Sequence, residues 1–489
     1  MIVLFNPWST PSPKKPLPMS LLAVGSLLEG RFDYRIVDGN LESDPVAVIL
    51  ALAEKQPLTA IAVTVMPGPQ LRAAVNSCRQ LKRMLPAVPI VWGGYFPSQH
   101  AEACLSESTV DICVIGQGEQ TLLELVTALR DGTSLSAIAG LTYRTNGGIQ
   151  KTPPRALMPL DEMPDWPYHR LPMARYFHKH YLGDRVATHH SSFGCPFACN
   201  FCAVVGIANR KWVAQSPERV GRVLQKFRDE YRADAVQFHD MDFFISESRT
   251  QAIAERLAPL GMAWWALGRV DELMRYREST WAAMKRSGLK MVFCGAESGS
   301  TEMLRRMNKG GTASADLTIE LGARMKAYGV VPEFSFVVGN PPDPEADLAQ
   351  TLTFIRRIKE VNAATEIILY VYSPVPMDGT FYEAAQHQGF QFPTTLKGWV
   401  SERWQTFALR RDPNTPWSHG EMRQRVRDFE SVLNAYYPTV TDMRMTPARR
   451  SLLRAASAWR YHAQAYARPV ELNLLQRAFR YQRPETTGF

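Results

Sequence analysis

Short β-rich runs alternate with amphipathic, helix-length stretches in two separate blocks of this sequence. A chain with that rhythm is committed to parallel sheets covered by helices. In the first block the runs at 2–5, 34–38, 61–65, 89–92 and 111–115 are separated by helical stretches such as 71–85 and 121–129. They predict a doubly wound parallel sheet, which binds ligands beyond the carboxyl ends of its strands. The residues expected there are loop formers: Asn6-Pro7, Asp38-Gly39-Asn40, Met66-Pro67-Gly68, Gly93-Gly94 and Gly116-Gln117-Gly118. Paired glycines let a ligand approach the backbone closely, although plain turn chemistry also uses them.

The second block has runs at 186–191, 235–238, 263–267, 290–294, 332–338 and 366–372, with amphipathic helices such as 217–231 and 312–328 between them. Six repeats of one strand–helix unit predict a partial (β/α)6 barrel with its active site at the carboxyl strand ends. Between the blocks, a hairpin at Asn146-Gly147-Gly148 precedes Pro153, Pro154, Pro159, Pro164, Pro167 and Pro172, which cannot belong to one helix. Beyond about 396 the chain reads as helical, and residues 444–489 hold nine Arg against two Glu, a local +7 of the chain's +9. The expected organisation is a doubly wound domain at 1–135, a hairpin and Pro-rich linker at 136–185, a barrel at 186–395 and a basic helical C-terminal domain at 396–489.

With 489 residues, 45% apolar and 21% charged, each unit can bury a core of its own, which excludes disorder and a disulfide scaffold. The apolar runs are strand-sized, and the opening Met1-Ile-Val-Leu-Phe-Asn-Pro7 has no basic region or cleavage site, so the chain reads as cytoplasmic. Seven cysteines, odd in number and sparse, suggest thiols kept reduced for chemistry.

Three of them form Gly194-Cys195-Pro-Phe-Ala-Cys199-Asn-Phe-Cys202, directly after a predicted strand. Thiols spaced CxxxCxxC on one loop can converge on a single soft metal centre. A four-iron cluster held by only three protein thiolates keeps one iron open to a further ligand. A structural zinc site is the competing reading, with His189 or His190 as a fourth ligand.

This loop after the first strand of a βα barrel, with aromatic Phe201 before the third cysteine, resembles the radical S-adenosylmethionine enzymes. The resemblance implies a [4Fe–4S] cluster on Cys195, Cys199 and Cys202. It also implies S-adenosylmethionine on the open iron and reductive cleavage to a 5′-deoxyadenosyl radical. Three more segments fit: 238–243 with Asp240 and Asp242, 266–271 with Arg269, and 294–300 with Glu297 and Ser298 followed by Met307-Asn-Lys309-Gly310. By resemblance, Glu297 and Ser298 meet the ribose, Arg269 pairs with the cofactor carboxylate, Asp240 or Asp242 accepts from its ammonium, and Phe201 lies near the adenine. A strand-end cap or a salt bridge is the plainer use of each acid. Segments 332–340 and 373–380 resemble the family's fifth and sixth strand ends, where Tyr370, Tyr372 and Asp378 would either face substrate or pack in the core.

The N-terminal, Rossmann-like domain is similar to that of the cobalamin-binding subclass, so the resemblance spans roughly 1–395. It implies that Pro7, Thr64, Gly93, Gly94, Gly116 and Gly118 line a corrin. The DxHxxG motif that supplies an axial histidine is absent, and His100 is either a substitute ligand or a surface residue at a helix start. The implied activity is a cobalamin-dependent methyl transfer to an unactivated carbon of a small molecule. The runner-up is a radical oxidation or cyclisation of the magnesium-protoporphyrin monoester cyclase kind. A methylthiotransferase would need a second cluster, and Cys78, Cys104 and Cys113 occupy ordinary helix and strand positions. A reducing donor such as flavodoxin or ferredoxin is implied as a partner. The basic end, with Trp459, Tyr461, Tyr466, Phe479 and Tyr481, suits a helical cap over the barrel mouth or an anionic membrane surface. No RNA-binding module is visible, so no nucleic acid partner is expected.

Overall fold

The structure, a computed structural model, describes residues 1–309, 312–376, 380–408, 415–417 and 420–481. Gly310 and Asp378, singled out above, lie outside the described residues. The first sheet contains β1 (Ile2–Asn6), β2 (Tyr34–Asp38), β3 (Ala60–Thr64), β4 (Ile90–Gly93) and β5 (Ile112–Val114), all parallel, in the order β2-β1-β3-β4-β5. The side-chain period of two sends Ile2 and Leu4 to one core and Val3 and Phe5 to another, so β1 is buried on both faces as a doubly wound sheet requires. The hairpin β6 (Leu141–Thr145) and β7 (Gly148–Lys151) adds two antiparallel strands to this sheet, so that part of the expected linker completes the first layer.

The second large sheet runs in the order β16-β15-β14-β13-β12-β9-β8, with β8 (His178–His180) antiparallel on its edge. Its six parallel strands are β9 (Gly183–His189), β12 (Ala235–Phe238), β13 (Ala263–Arg269), β14 (Leu289–Glu297), β15 (Val331–Val338) and β16 (Glu366–Val371). The sheet curls into a half-barrel, and β8 and β16 are its two free edges. Alternation again sorts the core. Trp264 and Ala266 pack outward against helices, whereas Trp265 and Leu267 join Val186, Ala235 and Met291 inside the curl. A short antiparallel pair, β10 (Ser192–Gly194) and β11 (Trp212–Ala214), brackets the cysteine loop.

The proline-rich connector makes three short 3-10 turns and is bolted to both neighbours. The buried Arg219 guanidinium donates to the carbonyls of Leu160, Met163 (2.7 Å) and Pro164 (2.7 Å). On the other side Arg170 pairs with Glu29 at 2.7 Å, and the Tyr176 hydroxyl donates to Asp38 at 2.8 Å.

The region after the barrel divides in two. Its first part, with helices Thr380–His387, Leu396–Trp399 and Glu402–Ala408, packs Phe390, Phe392, Trp399, Trp404 and Phe407 into the same core as Leu71, Val75 and Phe96 of the first domain. It is an aromatic strap between domains. The second part, helices Gly420–Tyr436, Pro447–Ala463 and Val470–Phe479, packs on the barrel's outer core. Met422 meets the carboxyl end of β15 at Gly339, while the Thr441 amide donates to Glu366 at the start of β16. These helices therefore flank the barrel wall, which corrects the expected cap over its mouth.

Candidate functional site

The cysteine loop is held at its start by polar groups that the chain buries for the purpose. Asp240, at the end of β12, accepts from the Ser191 amide (3.1 Å), the Ser191 hydroxyl (2.8 Å) and the Ser192 hydroxyl. Arg249 donates to the Ser191 carbonyl at 3.0 Å and its hydroxyl at 2.8 Å. Gly194 then takes φ +83°, and a Cβ there would stand 2.2 Å from the Lys211 carbonyl oxygen, so only glycine fits this turn. The far side is tied to the end of helix Thr301–Arg306. Asn200 donates to the Met307 carbonyl (3.1 Å) and the Arg306 carbonyl (2.6 Å), and Asn308 donates to that of Ala198 (2.9 Å).

Arg269, at the end of β13, crosses beneath the loop. It pairs with both Asp271 oxygens (3.0 and 2.9 Å), donates to the Cys199 sulfur (3.4 Å) and the Lys309 carbonyl, and lies 3.7 Å over the Phe197 ring. Glu297 ends β14 at φ +66°, where the ladder with β15 slips, and pairs with Lys309 at 2.7 Å. A left-handed conformation in a non-glycine residue costs energy and recurs at binding sites. Ser298 follows, fully buried, and its hydroxyl accepts from the Ser300 amide at 3.1 Å. The Lys309 ammonium stands 5.9 Å over the ring of Phe201.

The carboxyl edge of the first sheet is built differently. Asn6, Asp38, Asn40 and Gln70 form a buried amide network, with Asn6 donating to Asp38 (2.8 Å) and Gln70 to Asn6 (2.7 Å). Gly94 has φ +97°, and a Cβ would press on the Thr64 hydroxyl at 3.2 Å; Gly116 has φ +75°. Thr64 bonds Ser20 at 2.9 Å, Gly93 and Gly118 flank the same edge, and Pro7 leaves β1 beside Trp8. Trp8 and Met66, on this edge, are 41% and 48% exposed. Gln99, just beyond Gly94, donates to the Ala203 carbonyl at 2.8 Å, and the Gly116 turn lies against Ile207. Ala203 directly follows the third cysteine and Ile207 lies five residues beyond it, so this edge touches the segment that leaves the cysteine loop.

Residues 12–126 match the B12 binding domain family, and residues 190–355 match the Radical SAM superfamily. An uncharacterized methyltransferase of Pyrococcus horikoshii is 30% identical over 345 residues, 70% of this chain and 73% of that protein. The chain belongs to the radical SAM superfamily, in the branch with a B12 binding domain. An anaerobic magnesium-protoporphyrin IX monomethyl ester cyclase of Synechocystis is 24% identical over 316 residues, 62% of this chain and 61% of that protein. In fold, the chain is similar to the cobalamin-dependent S-adenosylmethionine radical enzyme OxsB with aqua-cobalamin and S-adenosylmethionine bound. That likeness has a TM-score of 0.68 and 16% identity, over 98% of this chain and 75% of that one.

The thiols suit a cluster. Among the described residues no group of three His, Cys, Asp or Glu side chains is arranged to hold one metal ion. Thiolates of a four-iron cluster each take a different iron, so they need not meet at one point. The zinc alternative loses one of its two candidate histidines, because His189 is bonded to Tyr168 (3.2 Å) and Gln215 (2.9 Å) on the outer face of β9. Without metal, burial pushes the Cys195 thiol up to about 12, reinforced by the negative charge of Asp242 and the other two thiols. The remaining thiols are buried in ordinary cores, Cys78 accepting from Trp92 at 3.4 Å.

Two acids on the second strand end have different tasks. Asp240 is occupied by the serines, whereas Asp242 keeps one buried oxygen with no hydrogen-bond partner. Burial pushes the Asp242 carboxyl up to about 7 against the pull of Arg269 and Lys309. Arg269 is likewise committed to Asp271 and the loop, which makes it a brace beneath the thiols. Tyr372 turns into the strap core, stacked on Trp417 and donating to the Phe381 carbonyl at 3.1 Å. His100 is half-buried in an aromatic cluster rather than free on the surface. Its ring lies 4.5 to 5.2 Å from Trp399, Phe96 and Phe392, and burial pushes its pKa down to about 4. Sequence reasoning missed Lys309, Asp271 and Phe197 as working parts. Their signal was present in the Arg269-Val-Asp271 and Asn308-Lys309 segments, but only folding reveals the pairings.

Proposed function

We propose that this protein is a cobalamin-dependent radical S-adenosylmethionine methyltransferase acting on an unactivated carbon of a small-molecule substrate. The observation that carries the reading is the contact between the segment after Cys202 and the glycine edge of the B12 binding domain, through Gln99 and Gly116. Cofactors placed on those two surfaces would share one chamber, as a methyl donor and a radical source must. When bound, the cluster, S-adenosylmethionine and cobalamin supply the radical and the methyl group.

The chain's own residues bind and orient. Cys195, Cys199 and Cys202 hold the cluster, and the Arg269 and Lys309 cations beside them offset the charge of three thiolates. Asp242, with its free oxygen, accepts from the cofactor ammonium; Asp240 and Arg269 position the loop. Glu297 and Ser298 meet the ribose, with Lys309 holding the Glu297 carboxylate in place, and Phe201 borders the adenine. Pro7, Thr64, Gly93, Gly94, Gly116 and Gly118 line the corrin, where missing Cβ atoms leave room for a flat ring. Reduction requires a donor such as flavodoxin or ferredoxin, and Arg210 and Lys211, exposed beside the loop, give an acidic carrier a place to meet it.

The test is incubation of the reconstituted enzyme with S-adenosylmethionine carrying a labelled methyl group and candidate substrates. Label in the product carbon skeleton supports methyl transfer. Deoxyadenosine with an unlabelled, oxidised or cyclised product overturns it in favour of the cyclase reading.

A further inference from the structure

The concentration of positive charge at the end of the sequence has a definite address. Helices Pro447–Ala463 and Val470–Phe479 form an antiparallel hairpin: Arg449 lies 5.7 Å over the Phe479 ring at one end, and Arg460 pairs with Glu471 at the other. Its inner stripe, Leu453, Ser457, Tyr461 and Leu472, is buried. On the opposite side of the first helix stand Leu452 and Trp459, seven residues apart and 51% and 58% exposed. On the second helix Val470 and Leu474, four residues apart, are 61% and 59% exposed. With Met443 at 56%, this hairpin and its approach hold five of the eleven large apolar side chains left exposed among the described residues, so exposed apolar surface is concentrated on this element.

Exposed Arg449 and Arg477 border the patch, and Glu471, the only acid between 444 and 481, is consumed by Arg460. We propose that this outward face docks the enzyme on an anionic lipid surface. Interfacial helices place Trp and Leu at the acyl boundary and Arg among the headgroup phosphates, which is the pattern found here. A second copy of the chain would set one +7 segment against another. A nucleic acid would leave the Leu and Val side chains against phosphate. Among the described residues no helix is long and apolar enough to cross a membrane.

The test is sedimentation of the full chain with vesicles of phosphatidylcholine containing about one-third phosphatidylglycerol. Wild type is expected to pellet with them, and less so as salt rises from about 0.1 M to about 0.5 M. The Trp459→Ser, Leu474→Ser double variant, altered only at exposed sites, is expected to bind about tenfold more weakly. Arg449→Gln with Arg477→Gln is expected to remove most of the salt dependence. Trp459→Phe supplies a readout independent of yield: vesicles should blue-shift the emission of wild type and leave that variant's unchanged. Wild type remaining in the supernatant at low salt, or equal pelleting of the serine variant, overturns the proposal. Capture of a soluble acidic protein without vesicle binding also overturns it and assigns the face to that partner.

Discussion

The two parallel sheets end in edges of opposite chemistry. The barrel edge is dense with charge and thiol: Arg269 on Asp271, Lys309 on Glu297, Asp240 on two serines, and three cysteines among them. The edge of the first sheet is glycine, amide and hydroxyl, with the buried Asp38 carboxylate shared by Asn6, Asn40 and Tyr176. A charged edge fixes small polar groups by ion pairs and hydrogen bonds; a glycine edge offers backbone and space to a large flat ligand. The same strand architecture thus provides two different kinds of site, and the loops of the two edges touch.

The sharpest way to break this contrast is to load each edge separately. Cys195→Ala, Cys199→Ala and Cys202→Ala should each abolish iron retention after reconstitution while leaving cobalamin bound, and Cys78→Ala should leave both unchanged. Iron analysis beside cobalt analysis reads both edges at once. In the opposite direction, Gly94→Val should lose cobalamin and keep iron, because a side chain at φ +97° is strained and crowds Thr64. Loss of both metals from either variant would mean that the two edges are not separable.

Stability offers a second contrast. Trp399→Ala, which removes the centre of the aromatic strap against Phe96, Phe392 and Trp404, should cost about 3–5 kcal/mol in denaturant unfolding. Arg269→Lys keeps the charge but loses the bidentate pairing with Asp271 and the stacking on Phe197, and should slow deoxyadenosine formation about tenfold with the fold intact. The smallest effect concerns acid. His100 is held near 4, below its ordinary value of 6.5, so the unfolded chain binds the proton more readily and stability should fall as pH drops from about 6.5 toward 4. His100→Phe should flatten that part of the stability–pH curve.

How much of this was legible depended on whether the signal was local. The strands were legible because period-two apolar runs bounded by Gly and Pro are written within a few residues, as at 2–5 and 263–267. The thiol loop was legible for the same reason. What the sequence concealed were partners far apart in the chain. Trp399 and Trp404 looked like the start of a basic helical domain, yet Trp399 packs on Phe96, some 300 residues earlier, and Trp404 packs on Trp399. Asp240 and Asp242 are indistinguishable as letters. Only the position of Ser191 and Ser192 shows that the first is consumed and the second keeps a free oxygen. His100 looked like a helix-start residue on the surface because its aromatic box is assembled from the strap.

The most direct measurement is anaerobic reconstitution with iron, sulfide and cobalamin, followed by metal quantification and an absorbance spectrum of the desalted protein. Two facing edges that each hold their own cofactor predict about four irons and about one cobalt per chain. Iron retained without cobalt would contradict the account, because the glycine edge would then serve a substrate or a partner and methyl transfer through cobalamin would be wrong.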